Sequence, residues 1–389
     1  MGAAALLFVC AFLAADKISY LNGMAEEYHI RRSPWGQFLE QQQKHNLRQT
    51  SDRKWKETES GTVVNVGDAS YIGSIEDLEK YGKQEENTYI KWVEFNVTSE
   101  AMKQAYQYDV DTYTEKMHLD WIQLLAVLGA KYGGDFTSYK PEDMTAVAKQ
   151  LLSGEKEIEQ YREELQYYNY YEEAYSAVLG GLVGEYKIQT GERKVWKSFY
   201  GLKAFNPIAK SFPYSDYDDF GVSRSYGYKR NHLGHDMMAQ VGTPVIAVES
   251  GRVTALGWNQ YGGWRIGLES FDGIRYYYYA HLRQNRPYAE GLKEGDIVQA
   301  GDVIGYVGRT GYSKEENVNN IDEYHLHFGL QLIFDESQRD GNNEIWVNGY
   351  ELTRFLSGSR SEVERNDETK EWTRVYQMRD PAAKEGEVK

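Results

Sequence analysis

The tripeptide His325-Leu326-His327 lies within an apolar run from Tyr324 to Phe334, and no other feature constrains the fold as tightly. In a strand, residues i and i+2 share a face. The run therefore predicts a strand that buries Leu326 in a core and turns two imidazoles towards one point on the opposite side. Two histidines held at one point need partners. Candidates stand upstream: His232 and Asp236, spaced His-x-x-x-Asp near the start of a β-rich segment, and His281 within Tyr-Ala-His-Leu.

The chemical content of that set is that of a hydrolytic zinc site. Catalytic zinc takes three protein ligands from nitrogen and oxygen donors and leaves a fourth position for water. A His, an Asp and a second His meet that count, and two histidines remain to accept a proton and to stabilise a developing oxyanion. The tally suits a hydrolase better than a closed structural site. Cysteine is no rival ligand, because the one cysteine, Cys10, sits far away in the apolar N-terminus.

Around these residues the chain resembles the M23 (lysostaphin, LytM-like) metallopeptidases. The stretch Arg230-Asn231-His232-Leu233-Gly234-His235-Asp236 is similar to that family's Arg-x-His-x-Gly-x-Asp. It is followed in the family's order by Val241-Gly242-Thr243-Pro244-Val245, Ser250-Gly251-Arg252-Val253, Tyr279-Ala280-His281-Leu282, Ala300-Gly301-Asp302-Val303-Ile304-Gly305, Gly308-Arg309-Thr310-Gly311 and His325-Leu326-His327-Phe328. The resemblance implies that His232, Asp236 and His327 hold Zn2+. It also implies that His281 and His325 polarise the attacking water and stabilise the tetrahedral intermediate, with the general base of that pair left open. It further implies a bacterial endopeptidase that cuts peptidoglycan stem peptides or cross-bridges, with a non-catalytic LytM-like scaffold or activator in sporulation or cell division as the alternative. The catalytic segment as a whole is similar to clostridial, sporulation-associated members.

Other residues have plainer explanations. His29, His45 and His118 read as ordinary hydrogen-bonded histidines. His235 directly precedes Asp236, so in an extended segment it faces the other way. His118 with Asp109, Asp111 and Glu115 reads as a solvated helix face rather than a cation site. Between Gly311 and His325, the stretch Tyr312 to Tyr324 is longer and richer in Glu and Asn than the family's compact link, and predicts a surface loop bordering the cleft.

The expected architecture is α+β and multidomain: a mostly α N-terminal domain followed by a β-rich antiparallel LytM-like peptidase domain. Residues 1–15 contain the apolar run Ala3 to Ala15, shorter than the roughly 20 residues a spanning helix needs, and read as an export signal or membrane anchor whose beginning is truncated. Residues 16–61 read as a polar stalk. Residues 62–191 read as the helical domain, with a short strand within Thr88 to Val97. Helices are predicted from Glu100 behind a Thr98-Ser99 cap, over Trp121 to Leu128, from Pro141 with an apolar face of Met144, Val147, Ala148, Leu151 and Leu152, and over about Tyr168 to Tyr186. The resemblance places the peptidase domain at residues 205–356, and the charge-rich segment 357–389 is expected to be disordered.

Composition narrows the partners. A formal net charge of −15 lacks the basic footprint that nucleic acid or an anionic membrane surface requires. Peptidoglycan peptides, membrane anchoring through the N-terminus and a protein partner for the helical domain are the expected partners, in an extracytoplasmic setting facing the cell wall. The 33 tyrosines suit stacking on a ligand, although packed core and half-buried strands are the use expected for most of them.

Overall fold

The structure is a computed structural model that describes residue 90 and residues 93–190, 194–226, 228–339 and 344–383. The apolar N-terminal run and the polar stalk lie outside the described residues. Among the described residues no helix is long and apolar enough to cross a membrane.

Five helices come first: α1 (Ser99–Thr112), α2 (Trp121–Tyr132), α3 (Pro141–Ser153), α4 (Ile158–Glu164) and α5 (Tyr168–Leu179). The Thr98 side chain caps α1 by accepting from the Ala101 amide at 3.3 Å. Pro141 opens α3, where its missing N–H costs nothing. That helix buries Met144, Val147, Ala148 and Leu151, whereas Leu152 is 45% exposed. The fourth predicted helix ends at Leu179 rather than near Tyr186. Gly180 and Gly181 follow, Gly181 takes φ +80°, and the chain leaves in the strand β1 (Val183–Thr190) against β2 (Val195–Leu202).

Two further expectations are corrected. Residues 93–97 alternate buried and outward-facing side chains, with Phe95 and Val97 buried, but form no ladder with another strand. Periodicity reports burial and not pairing. Residues 357–383 are ordered. They form β15 (Val363–Arg365), β16 (Trp372–Arg374) and β17 (Met378–Arg379), and β17 pairs with β1. Their buried charged side chains have partners. Lys203 meets both carboxylate oxygens of buried Asp380 at 2.8 Å, Arg374 donates to the Ala300 carbonyl at 2.7 Å, and Glu371 accepts from the Tyr306 hydroxyl.

Between these parts lies an eight-stranded antiparallel sheet. Its members are β3 (Tyr214–Ser215), β6 (His235–Ala239), β8 (Gly251–Asn259), β9 (Gly263–Ser270), β10 (Arg275–Ala280), β11 (Ile297–Val298), β13 (His325–Leu332) and β14 (Ile345–Val347). The order is β11-β8-β9-β10-β13-β6-β3, with β14 also on β13. Short strands β4 (Ser223–Tyr226) and β5 (Tyr228–Asn231) form a hairpin, β7 (Pro244–Ile246) pairs β12 (Val303–Tyr306), and α6 (Tyr350–Leu356) follows the sheet. The tyrosine run in β10 shows the pleat at work. Tyr277 and Tyr279 are fully buried in the core, while Tyr276 and Tyr278 point to the other face.

The helical unit is not a separate body. Arg275 is 1% exposed; its guanidinium takes the Glu249 carboxylate at 2.8 and 3.1 Å and donates to the Ala177 carbonyl of α5 at 3.0 Å. Phe355 of α6 packs its ring on Tyr106 and Trp121. A continuous apolar core runs from α1 and α2 into the sheet.

Candidate metal centre

Antiparallel pairing brings the predicted residues together. His327 on β13 lies directly opposite Asp236 on β6, and Ala280, the residue before His281, opposes His327 from the other side. Leu326, Phe328, Leu330 and Leu332 face the core, so His325 and His327 share the open face, as their spacing requires. His232 reaches the same place from the turn after β5. His235 faces away, buried against Asp216 with Nε2 to Oδ2 at 2.9 Å, as expected for a residue that is no ligand.

Three donor atoms converge. His232 Nε2 lies 2.9 Å from His327 Nδ1 and 3.0 Å from Asp236 Oδ1, and His327 Nδ1 lies 3.1 Å from the same oxygen. That triangle is small enough for one ion with bonds of about 2.0–2.1 Å to reach every corner. Gly234 makes the approach feasible: a Cβ there would fall 2.5 Å from His327 Cε1 and Nε2.

The tautomers follow from the partners. Nδ1 of His232 faces the Asp219 carbonyl at 3.0 Å and Asp219 Oδ2 at 3.1 Å, both of which only accept, so Nδ1 carries a proton and Nε2 is the nitrogen turned to the triangle. His281 Nδ1 donates to the Thr310 carbonyl at 2.9 Å and His325 Nδ1 donates to the Glu323 carbonyl at 3.0 Å. Each therefore keeps Nε2 as the nitrogen not engaged by a carbonyl. The two rings stand 4.8 Å apart and His281 is 5.7 Å from His327, centroid to centroid. His281 adopts φ +60°, a conformation costly for a residue with a Cβ and concentrated at functional sites.

The electrostatics match a cation-binding pocket. Burial alone would lower the His232 pKa, but hydrogen bonds to Asp219 and Asp236 overrule it and push it up to about 9. Burial would raise Asp236, yet contacts with His232 and His327 hold its carboxyl far below the usual range. Burial and neighbouring imidazoles depress His281 strongly, keeping it neutral.

Three residues escaped the sequence reading. Asp219, fully buried, supports both upstream ligand positions: it accepts the His232 Nδ1–H and the Asp236 amide, the latter at 3.3 Å. Arg224 bridges Asp219 at 2.7 Å and Asp236 Oδ2 at 3.0 Å. Tyr312 opens the long loop with φ +48° and packs its ring 5.9 Å from His281. In sequence Asp219 is one of three similar aspartates in Asp216-Tyr217-Asp218-Asp219, and nothing local singles it out. At the other end of the chain, the predicted solvated face around His118 is also corrected. Asp109 is 1% exposed and binds His118 Nε2, the Trp121 amide and the Tyr200 hydroxyl, because α1 ends at Thr112 and folds His118 back upon it.

The long loop borders the site and is bolted down. Asn317 Oδ1 accepts from Trp264 Nε1 at 2.9 Å and from the Asn285 amide at 2.8 Å; Asn317 Nδ2 donates to Asn285 Oδ1, and the Ser313 amide bonds the Gln260 carbonyl. These bonds make the loop a fixed wall.

The antiparallel sheet thus presents a His, Asp, His triangle beside two further imidazoles. Residues 230–340 match the family described as Peptidase family M23. Over 130 residues it is 39% identical to an L-Ala–D-Glu endopeptidase of Bacillus subtilis, covering 33% of this chain and 38% of that protein. Over 141 residues it is 35% identical to the glycyl-glycine endopeptidase ALE-1 of Staphylococcus capitis, covering 36% and 34%. Among solved structures, the catalytic domain of lysostaphin from Staphylococcus simulans aligns at 31% identity over 36% of this chain and 92% of that one, with a TM-score of 0.29. The chain thus spans well under half the length of the two curated relatives. The narrower likeness to clostridial sporulation proteins finds no support in these relatives.

Proposed function

We propose that the chain is a zinc-dependent endopeptidase that hydrolyses peptide bonds of peptidoglycan, in stem peptides or cross-bridges, outside the cytoplasmic membrane. The observation that carries this reading is the triangle of His232, Asp236 and His327 flanked by two imidazoles whose Nδ1 atoms are held by carbonyls behind them. The relatives support the substrate class, since both carry names of endopeptidases.

The donor set fits zinc: two imidazole nitrogens and one carboxylate oxygen, with Arg224 and Asp219 orienting them from behind. Bound there, zinc would act as a Lewis acid on the scissile carbonyl and favour deprotonation of the attacking water. The chain's own residues do the rest. His281 and His325 offer two imidazoles beside the triangle: one takes the proton of the water, and once protonated it can hand that proton to the leaving amine. The second stabilises the transition state when its Nε2 carries a proton, donating that N–H to the oxygen on which charge develops. The Thr310 and Glu323 carbonyls hold both rings in place throughout.

Digestion of purified peptidoglycan followed by mass analysis of the released fragments tests the proposal. The expected result is new peptide termini, lost on chelation and restored by zinc. Intact peptidoglycan in the presence of a zinc-loaded, folded chain would overturn it.

A further inference from the structure

Arg230 is a cation beside the site that the chemistry above does not use. It lies two residues before His232, its guanidinium sits 4.9 Å from the Tyr261 ring and 5.2 Å from the Tyr312 ring, and its Nη2 donates to the Tyr312 hydroxyl at 2.9 Å. Tyr312 in turn packs on His281. Arg230 is thus clamped between two aromatic faces at the border of the site. Arg224, the other arginine of this hairpin, spends its charge on Asp219 and Asp236. Among the described residues no carboxylate pairs with Arg230, so most of its five donors are left over.

We propose that Arg230 forms a subsite for a carboxylate of the substrate peptide, close to the bond that is cut. The deduction rests on the endopeptidase reading. A guanidinium presents a planar fork that matches a carboxylate with two parallel hydrogen bonds, and two tyrosines that fix its plane remove the rotamer cost of that match. In a chain of net charge −15, a clamped and unneutralised cation beside the reacting centre selects for negative charge where most of the surface repels it. The strained φ of Tyr312 and the bonds that fix its loop keep the clamp in place. The substrate class that follows is an acidic peptide, such as a stem with a glutamyl residue whose α-carboxylate is free. A glycyl-glycine bridge offers no such group.

The test compares a stem peptide containing D-glutamate with the same peptide amidated at that carboxylate, using the full zinc-loaded chain. For the unaltered protein kcat/KM should favour the acid at least tenfold, and Arg230→Gln should collapse that ratio towards one, with zinc content retained. Arg230→Lys, which keeps the charge but not the fork, should give an intermediate ratio. A ratio near one in the unaltered protein, or one unchanged by Arg230→Gln, would overturn the proposal. If neither peptide is cut, the endopeptidase reading fails, and calorimetric binding of the two peptides decides the subsite separately: acid-selective binding lost in Arg230→Gln supports it, and equal binding overturns it.

Discussion

Asp219 Oδ2 lies 3.1 Å from Nδ1 of His232, so a fully buried carboxylate fixes which nitrogen of that imidazole faces the donor triangle. The same carboxylate holds Arg224 and the Asp236 amide, so one side chain orients two of the three candidate ligands. Asp219→Asn can present its amide N–H to the imidazole instead of a lone pair. Zinc affinity should fall by about 10–100-fold, the usual cost of losing such an outer partner. Competition with a chromophoric chelator measures it, and an unchanged affinity would show that Asp219 only packs.

Gly234→Ala isolates geometry from chemistry. The added methyl meets the His327 ring at 2.5 Å, and the ring cannot yield without leaving the triangle. Zinc affinity should drop at least tenfold while the thermal transition stays close to that of the unaltered protein, because the clash is local.

Zinc binding should release a proton. His232, raised to about 9, is protonated at neutral pH in the metal-free protein and must lose that proton to ligate. Affinity should therefore rise about tenfold per pH unit from near pH 7 and level off above about pH 9. Calorimetry in buffers of different ionisation enthalpy reads the released proton. The metal-free fold has the opposite dependence: a raised histidine pKa stabilises fully below the unfolded value of about 6.5, and that contribution is lost as pH rises through about 9.

Glu249→Ala should uncouple the helical unit from the sheet. It leaves the Arg275 charge buried with only the exposed Asp272 and a carbonyl as partners, and strands the Tyr277 hydroxyl. A loss of about 3–5 kcal/mol is expected. Denaturant unfolding should show it, along with a single transition in the unaltered protein, since the core is continuous.

The sequence carried the site further than the frame. His325 and His327 were legible because a strand's period of two is a local property, and the glycine-punctuated order of short strands was legible for the same reason. Asp219 and Arg224 were not, because what distinguishes them is proximity in space to His232 and Asp236. The tail failed on composition: Arg374, Glu371 and Asp380 count as disorder-promoting until their partners Ala300, Tyr306 and Lys203 are known. Arg275 likewise gives no hint in sequence that it ties α5 to the sheet.

Metal analysis of the purified full chain beside its His327→Ala variant tests the central claim most directly. The account predicts close to one zinc per chain, lost in the variant while the fold persists by circular dichroism. A folded unaltered protein that takes up no zinc at neutral pH, or a variant that binds it as tightly, would contradict the account.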